Sequence, residues 1–275
     1  MNPYSPPRAP MTPLAPPPPP PGPLTPGPSQ PRTISPLGAV RFVFEGPDWK
    51  NNMLLGSVLM LIPIAGPICF CGWMAEAHQR LVRRHPQPLP KFDFSDFGHY
   101  LSRGVMVFLV NLVMTLPFLM VFYALLIGVV FGAIAIGAAT DEPLAAVAVG
   151  GVAGLFTFLI MIAVSSVMNA AMTRAELTED FGKSLNFGPM LGYARSTFAR
   201  FFVKQLVFGL IGAGIILLGA LACYIGMYPA LFVLQAASMH LRWQLYDDHV
   251  GRGGEPIELK PPQWLPSELA RMGRG

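Results

Sequence analysis

Side chains able to do chemistry are sparse in this sequence, and they fall into three sets. The five histidines, His78, His85, His99, His240 and His249, lack metal-ligand spacing. A zinc site would have to combine His78 and His85 with Asp93 or Asp96. Solvated histidines at a membrane surface are the preferred reading. The three cysteines, Cys69, Cys71 and Cys223, all sit in apolar stretches. Cys69-Phe70-Cys71 is C-x-C, which on a helix sends the two thiols to different faces, so inert buried thiols are expected. The sequence holds no G-x-S-x-G, H-E-x-x-H, Walker A or G-x-G-x-x-G motif. No catalytic residue, metal ligand or cofactor is therefore assigned, and the protein is expected not to be an enzyme.

The third set is the most informative. Asn111, Asn169, Gln235 and His240 lie within or at the edge of long uncharged stretches, and Glu76 lies just past one. Polar groups in hydrocarbon turn toward a bundle interior, and ionisable ones are functional suspects. Asn and Gln also serve simply as hydrogen-bonding glue between helices, and that structural reading is preferred. Ser165, Asn169 and Thr173 recur every four residues, a polar stripe on one helix face.

The elements that must position these groups follow from charge distribution. Of 275 residues, 52% are hydrophobic and only 12% charged, with mean hydropathy +0.48. Ordinary soluble domains carry about 25% charged residues, so a soluble class is excluded. Residues 53–75, 104–140, 143–173 and 205–241 contain no Asp, Glu, Lys or Arg. Each exceeds the roughly 20 residues a helix needs to cross a bilayer, and none alternates as a barrel strand does. The expected fold is all-α: an integral membrane helical bundle with amphipathic interfacial helices.

The first run carries Pro63, Gly66 and Pro67 at its centre. A kinked span and a re-entrant hairpin both fit, and they put the N-terminus on opposite sides. In the second run Pro117 should kink the helix, while Gly128 and Gly132, like Gly150 and Gly154 in the third, form small-xxx-small surfaces. Asp141-Glu142-Pro143 is a tight turn. The last run turns at Cys223-Tyr224-Ile225-Gly226 and reads as a two-span hairpin. Between runs, Glu76 and Arg80 are four apart and can pair on a helix. Near Asp93 or Ser95 either a helix starts and lies on the membrane until Gly104 turns the chain inward, or an ordinary loop packs its Phe residues on the bundle. In the second interlude, short amphipathic helices should break around Gly188-Pro189. Trp73, Trp243 and Tyr246 suit the headgroup boundary.

The run Val43-Phe44-Glu45-Gly46-Pro47-Asp48-Trp49, then Gly72-Trp73, then Leu89-Pro90-Lys91-Phe92 and Gly104, resembles an uncharacterised family of bacterial and archaeal multi-span membrane proteins, domain of unknown function 4013. Trp73 stands where the family typically has Tyr. The resemblance covers roughly residues 37–250. It implies a membrane fold in a bacterial cytoplasmic membrane, and no established activity or site residues.

Residues 1–36 contain sixteen prolines and should be a disordered, polyproline-II-like tail, a spacer or a docking strip for a protein partner. Residues 37–250 form the membrane domain, and 251–275 a flexible tail. The basic residues that give net charge +4 lie between apolar runs, where they face the cytoplasm and anionic lipid headgroups; nucleic acid is not an expected partner. Arg41 and Lys50 place the N-terminus inside, which favours the re-entrant reading. The function expected is a non-enzymatic membrane scaffold or adaptor that engages partners or lipid through the Pro-rich tail and basic interludes. The alternative is a small permease or channel with a polar path near Asn111, Asn169 and Gln235.

Overall fold

The computed structural model describes residues 33–140, 142–222 and 225–272. Residues 1–32 of the Pro-rich tail, Asp141 of the acidic turn, and Cys223 and Tyr224 of the last turn lie outside the described residues. Among those described there is no strand. Among the described residues, three helices are long and apolar enough to cross a membrane: residues 94–140, 144–178 and 187–221.

The chain enters through a short helix, α1 (Pro36–Phe42), started by Pro36 at its first position and by Ser35 Oγ, which accepts from Gly38 N at 3.0 Å. The first apolar run forms two helices, α2 (Trp49–Leu59) and α3 (Ala65–Val82). The break carries Pro63 and a left-handed Ile64 (φ 63°), a strained conformation for a β-branched residue. Asn52 Nδ2 donates to Pro90 O at 3.2 Å, and Trp73 Nε1 donates to the same oxygen at 3.0 Å. A continuous helix would hold those two residues about 31 Å apart. The run therefore folds back as a helical hairpin. Asn52 Oδ1 also accepts from Phe92 N at 2.8 Å, so one side chain clamps the Leu89–Phe92 loop.

Trp73 does not face outward as a headgroup anchor would. It is wholly buried, stacked against Phe70 and Phe92 with ring centroids 5.7 and 4.9 Å away, and its N–H is satisfied by Pro90. Nothing about it requires water. Trp243 and Tyr246 are buried too.

Asp93 caps a single 3-10 turn, accepting from Ser95 N at 3.0 Å, and α4 (Phe97–Thr140) follows directly. The expected turn at Gly104 does not occur: α4 runs through it unbroken. Gly104 serves packing instead. A Cβ on Gly104 would lie 1.8 Å from Ile68 O, and one on Gly72 would lie 1.9 Å from Tyr100 O. Helices α3 and α4 thus cross in backbone contact, which only two glycines allow.

Pro143 opens α5 (Pro143–Thr178), which ends on a left-handed Glu179 (φ 49°). Close approach of α4 and α5 uses Gly137 against Ala146 and Gly150 against Ala133. The expected surfaces at Gly128, Gly132 and Gly154 meet nothing within 4 Å among the described residues, because they face away from that seam. After a single-turn helix, α6 (Phe181–Ser184), comes α7 (Phe187–Leu221). Gly188-Pro189 does not break it. Both lie in its first turn, where proline forfeits no helical bond. With α8 (Met227–Gly251), α7 makes an antiparallel pair in contact at Gly219 and Gly226.

Residues 252–272, within the 251–275 expected as a flexible tail, run as a strap across the charged end of the bundle and finish in α9 (Pro266–Met272). Ile257 N donates to Tyr246 Oη at 3.0 Å, Lys260 N to Leu177 O at 3.0 Å, and Ser267 Oγ to Asp96 Oδ2 at 2.6 Å. Ile257 and Leu265 are buried beneath it.

The glycine crossing yields a direct test. Gly72→Ala or Gly104→Ala should destabilise the detergent-solubilised protein by about 2–4 kcal/mol, since backbone must move. Gly128→Ala should change stability by less than about 0.5 kcal/mol. Thermal unfolding followed by circular dichroism distinguishes them.

Candidate functional site: a polar cavity on a buried ionic floor

A cavity of about 530 Å³ lies among α3, α4, α5, α7 and α8. Its polar wall takes Asn111 from α4, Ser165 and Asn169 from α5, Gln205 from α7, and Gln235, Ser238 and Arg242 from α8. Met60 and Pro67, from either side of the α2–α3 break, reach it from the hairpin tip, and Met74, Met168 and Met172 supply apolar lining. Asn111 Oδ1 accepts from Thr115 Oγ1 at 3.3 Å. The side-chain amides of Asn169, Gln205 and Gln235 bond to no described residue; they face the cavity.

The structure places Asn111, Asn169 and Gln235 around this one space. Glu76 and His240 lie elsewhere. His240 stacks on Phe42 with centroids 3.9 Å apart and interplanar angle 10°, and its Nδ1 accepts from Gln244 Nε2 at 3.1 Å. That contact seats α1 on α8. Cys71 lines the cavity, whereas Cys69 faces Tyr100 and α2, in line with C-x-C geometry. Among the described residues, no three His, Cys, Asp or Glu are grouped to hold a metal ion. His85 Nδ1 turns to Gln87 O, and Asp96 binds Ser267.

Below the cavity, charges are buried in two linked groups. Glu76 receives Arg80 Nε on Oε1 at 2.5 Å and Arg103 Nη1 on Oε2. Arg103 also reaches Glu179, with Nε 2.7 Å from Oε1, and donates from Nη2 to Gln79 Oε1 at 3.0 Å. The strap completes this group: Lys260 Nζ lies 2.7 Å from Glu179 Oε2, and Arg80 Nη2 lies 2.8 Å from Glu268 Oε1. In the second group, Glu176 is held between His78 and Arg242. Gln79 joins the two, donating to Glu176 O at 2.9 Å and to Glu179 Oε1 at 2.8 Å.

Burial alone would push the Glu76 carboxyl up. The Arg103 and Arg80 guanidiniums outweigh it and hold the carboxyl below its ordinary value. Four carboxylates (Glu76, Glu176, Glu179, Glu268) pair with four cations (Arg80, Arg103, Arg242, Lys260), and Arg83, which donates to Gln79 Oε1 at 3.2 Å, adds a further positive charge beside them.

Residues 55–224 match DUF4013, described as a protein of unknown function. The chain belongs to that family. The DUF4013 match covers most of the α2–α3 hairpin and all of α4 to α7, and is narrower than the resemblance read from the motifs. Asn111, Asn169 and Gln205 fall inside it; Gln235, Ser238 and Arg242 stand on α8 beyond it. Comparison with curated proteins and with solved structures finds no match.

Sequence reasoning missed Gln205, Ser238, Arg242 and Glu176 as cavity or floor residues. The signal was helical spacing. Gln235, Ser238 and Arg242 are three and four apart, and Glu176 extends the stripe of Ser165, Asn169 and Thr173. Asn51 and Asn52, which hold the Leu89–Phe92 loop, carry no comparable signal.

Because the folded state holds the Glu76 carboxyl low, its contribution is complete above the ordinary value of 4.5 and is lost as pH falls through the lowered one. Through Glu76, the melting temperature should drop in buffers more acidic than about pH 4.5. Arg103→Met should destabilise by about 3–5 kcal/mol at neutral pH by leaving Glu76 and Glu179 without their shared partner. It should also flatten the acid limb.

Proposed function

We propose that this protein is a multi-pass protein of the cell membrane that binds a small polar solute in the cavity between its helices and gives it a path across. In this topology α4, α5 and α7 span, α8 returns beside α7, and α2–α3 is re-entrant. The charged end faces the cytoplasm, where the strap and basic residues gather. The reading is non-catalytic.

One observation carries it: the amides of Asn169, Gln205 and Gln235 converge on one space without bonding to each other or to a neighbouring helix. Amides acting as glue would be paired across helices, since an unpaired amide in an apolar setting is costly. Groups left open around a cavity of this size are what a transient hydrogen-bonding guest requires. This favours a solute pathway over the scaffold reading.

The test is passage through reconstituted vesicles. Stopped-flow light scattering should show at least one of urea, glycerol and lactate entering proteoliposomes faster than protein-free vesicles. The double variant Asn169→Leu, Gln235→Leu should cut that rate by about tenfold, as loss of about 1.4 kcal/mol of solute stabilisation requires. Rates equal to those of protein-free vesicles for every solute would remove the pathway reading.

A further inference from the structure

The floor of the cavity carries a charged unit that solute binding by amides does not use. Glu176 and His78 are both wholly buried. His78 Nδ1 lies 2.7 Å from Glu176 Oε2. From the other side Arg242 grips the same carboxylate, with Nη2 2.5 Å from Oε1 and Nε 3.2 Å from Oε2. Arg242 then turns its Nη1 toward the cavity wall, donating to Ser238 Oγ at 3.0 Å. His78 Nε2 is buried with no partner among the described residues. This is a buried, unpartnered proton acceptor next to a carboxylate whose cationic partner among the described residues, Arg242, lines the cavity.

We propose that His78, Glu176 and Arg242 make the cavity a proton-coupled anion site, taking up one proton on His78 Nε2 together with one small monovalent oxyanion, a carboxylate or sulfonate, at Arg242. The inference rests on the solute-pathway reading and names its substrate class.

Charge balance supplies the coupling. With His78 neutral, Glu176 and Arg242 cancel, and Arg242 has no charge to offer. A proton on Nε2 makes His78 a cation whose Nδ1–H still faces Glu176. The unit then carries one net positive charge, and the excess lies on the side of the cavity. An anion beside Arg242 and Ser238 restores neutrality. Proton alone, or anion alone, would leave one uncompensated charge in a buried site, which is strongly unfavourable.

Titratable and charged neighbours face the unit from several elements, Tyr193 of α7 lying near Arg242 with its hydroxyl buried. From α3, Cys71 and Gln79 face the unit, and Gln79 donates to the Glu176 carbonyl. From α4, Arg103 is already matched by Glu76 and Glu179 of α3 and α5. From α8, His240 is close enough to sense His78, and its ring is covered by Phe42 of α1.

The test uses full-length protein in liposomes that contain pyranine, with valinomycin and equal potassium on both sides to clamp the potential. Lactate or methanesulfonate is added outside as the sodium salt. Methanesulfonate stays ionised in water, so any proton that enters with it must be carried by the protein. The expected result is lumen acidification with both anions, accelerating by about tenfold as external pH is lowered from about 8 to about 6. His78→Gln should abolish acidification. Glu176→Gln, which leaves Arg242 permanently uncompensated, should admit the anion without a proton and make its entry sensitive to membrane potential. Wild-type protein alone decides the matter should a variant fail to fold. Anion entry with no acidification, or passage of urea and glycerol but neither anion, would overturn the coupling and leave the solute pathway standing. Passage of no solute at all would remove both.

Discussion

The structure depends on one contact between two backbones. Where Gly72 and Gly104 meet, α3 and α4 touch without intervening side chains, each glycine set against the other helix's carbonyl oxygens. Glu76 lies one turn beyond Gly72, and Arg103 immediately precedes Gly104. The crossing therefore delivers a carboxylate and a guanidinium to each other in the interior. Widening it by one methyl on either side would separate that pair, and with it the link through Gln79 and Glu179 to α5. Backbone proximity is thus the condition for burying the charges.

Those charges in turn explain why a cavity can persist above them. Buried ion pairs give little net stability against an apolar core, but they are intolerant of losing a partner. Glu76, Arg80, Arg103 and Glu179 each hold at least two partners, drawn from α3, α4, α5 and the strap, so the charged end behaves as a fixed plate. Helices anchored there need not close on one another farther up. The hairpin tip fills part of the space, and open amides and methionine side chains line the rest. A rigid floor and an unfilled interior are complementary requirements of a site that receives a guest.

Much of this was legible in the sequence, for identifiable reasons. Uncharged runs long enough to span a bilayer, with proline and glycine between them, dictate an all-α fold and locate most helices. Glu76 and Arg80 pair as their spacing predicts. Errors arose where a local signal has two physical meanings. Gly104 could end an interfacial helix or permit a crossing, and only the position of Gly72 in space decides. Pro189 breaks a helix interior but is welcome in a first turn. Trp73 suits an interface or a core, and the core prevails because Pro90 accepts its N–H. The floor was the least legible part: helical spacing aligns Glu176 with the α5 stripe, but the partners of Glu176 and Glu179, namely His78, Arg103, Arg242 and Lys260, come from distant segments that no spacing rule brings together.

The claim most exposed to test is that the first apolar run turns back, so that its tip lines the cavity and both chain ends share one side. With Cys69, Cys71 and Cys223 replaced by alanine, Ser29→Cys and Gly275→Cys would be introduced separately and labelled in intact cells by a membrane-impermeant maleimide. Lysed cells would serve as control. The hairpin predicts that both positions label from the same side. Labelling from opposite sides would make residues 53–75 a full span and contradict the geometry on which the cavity and its floor rest.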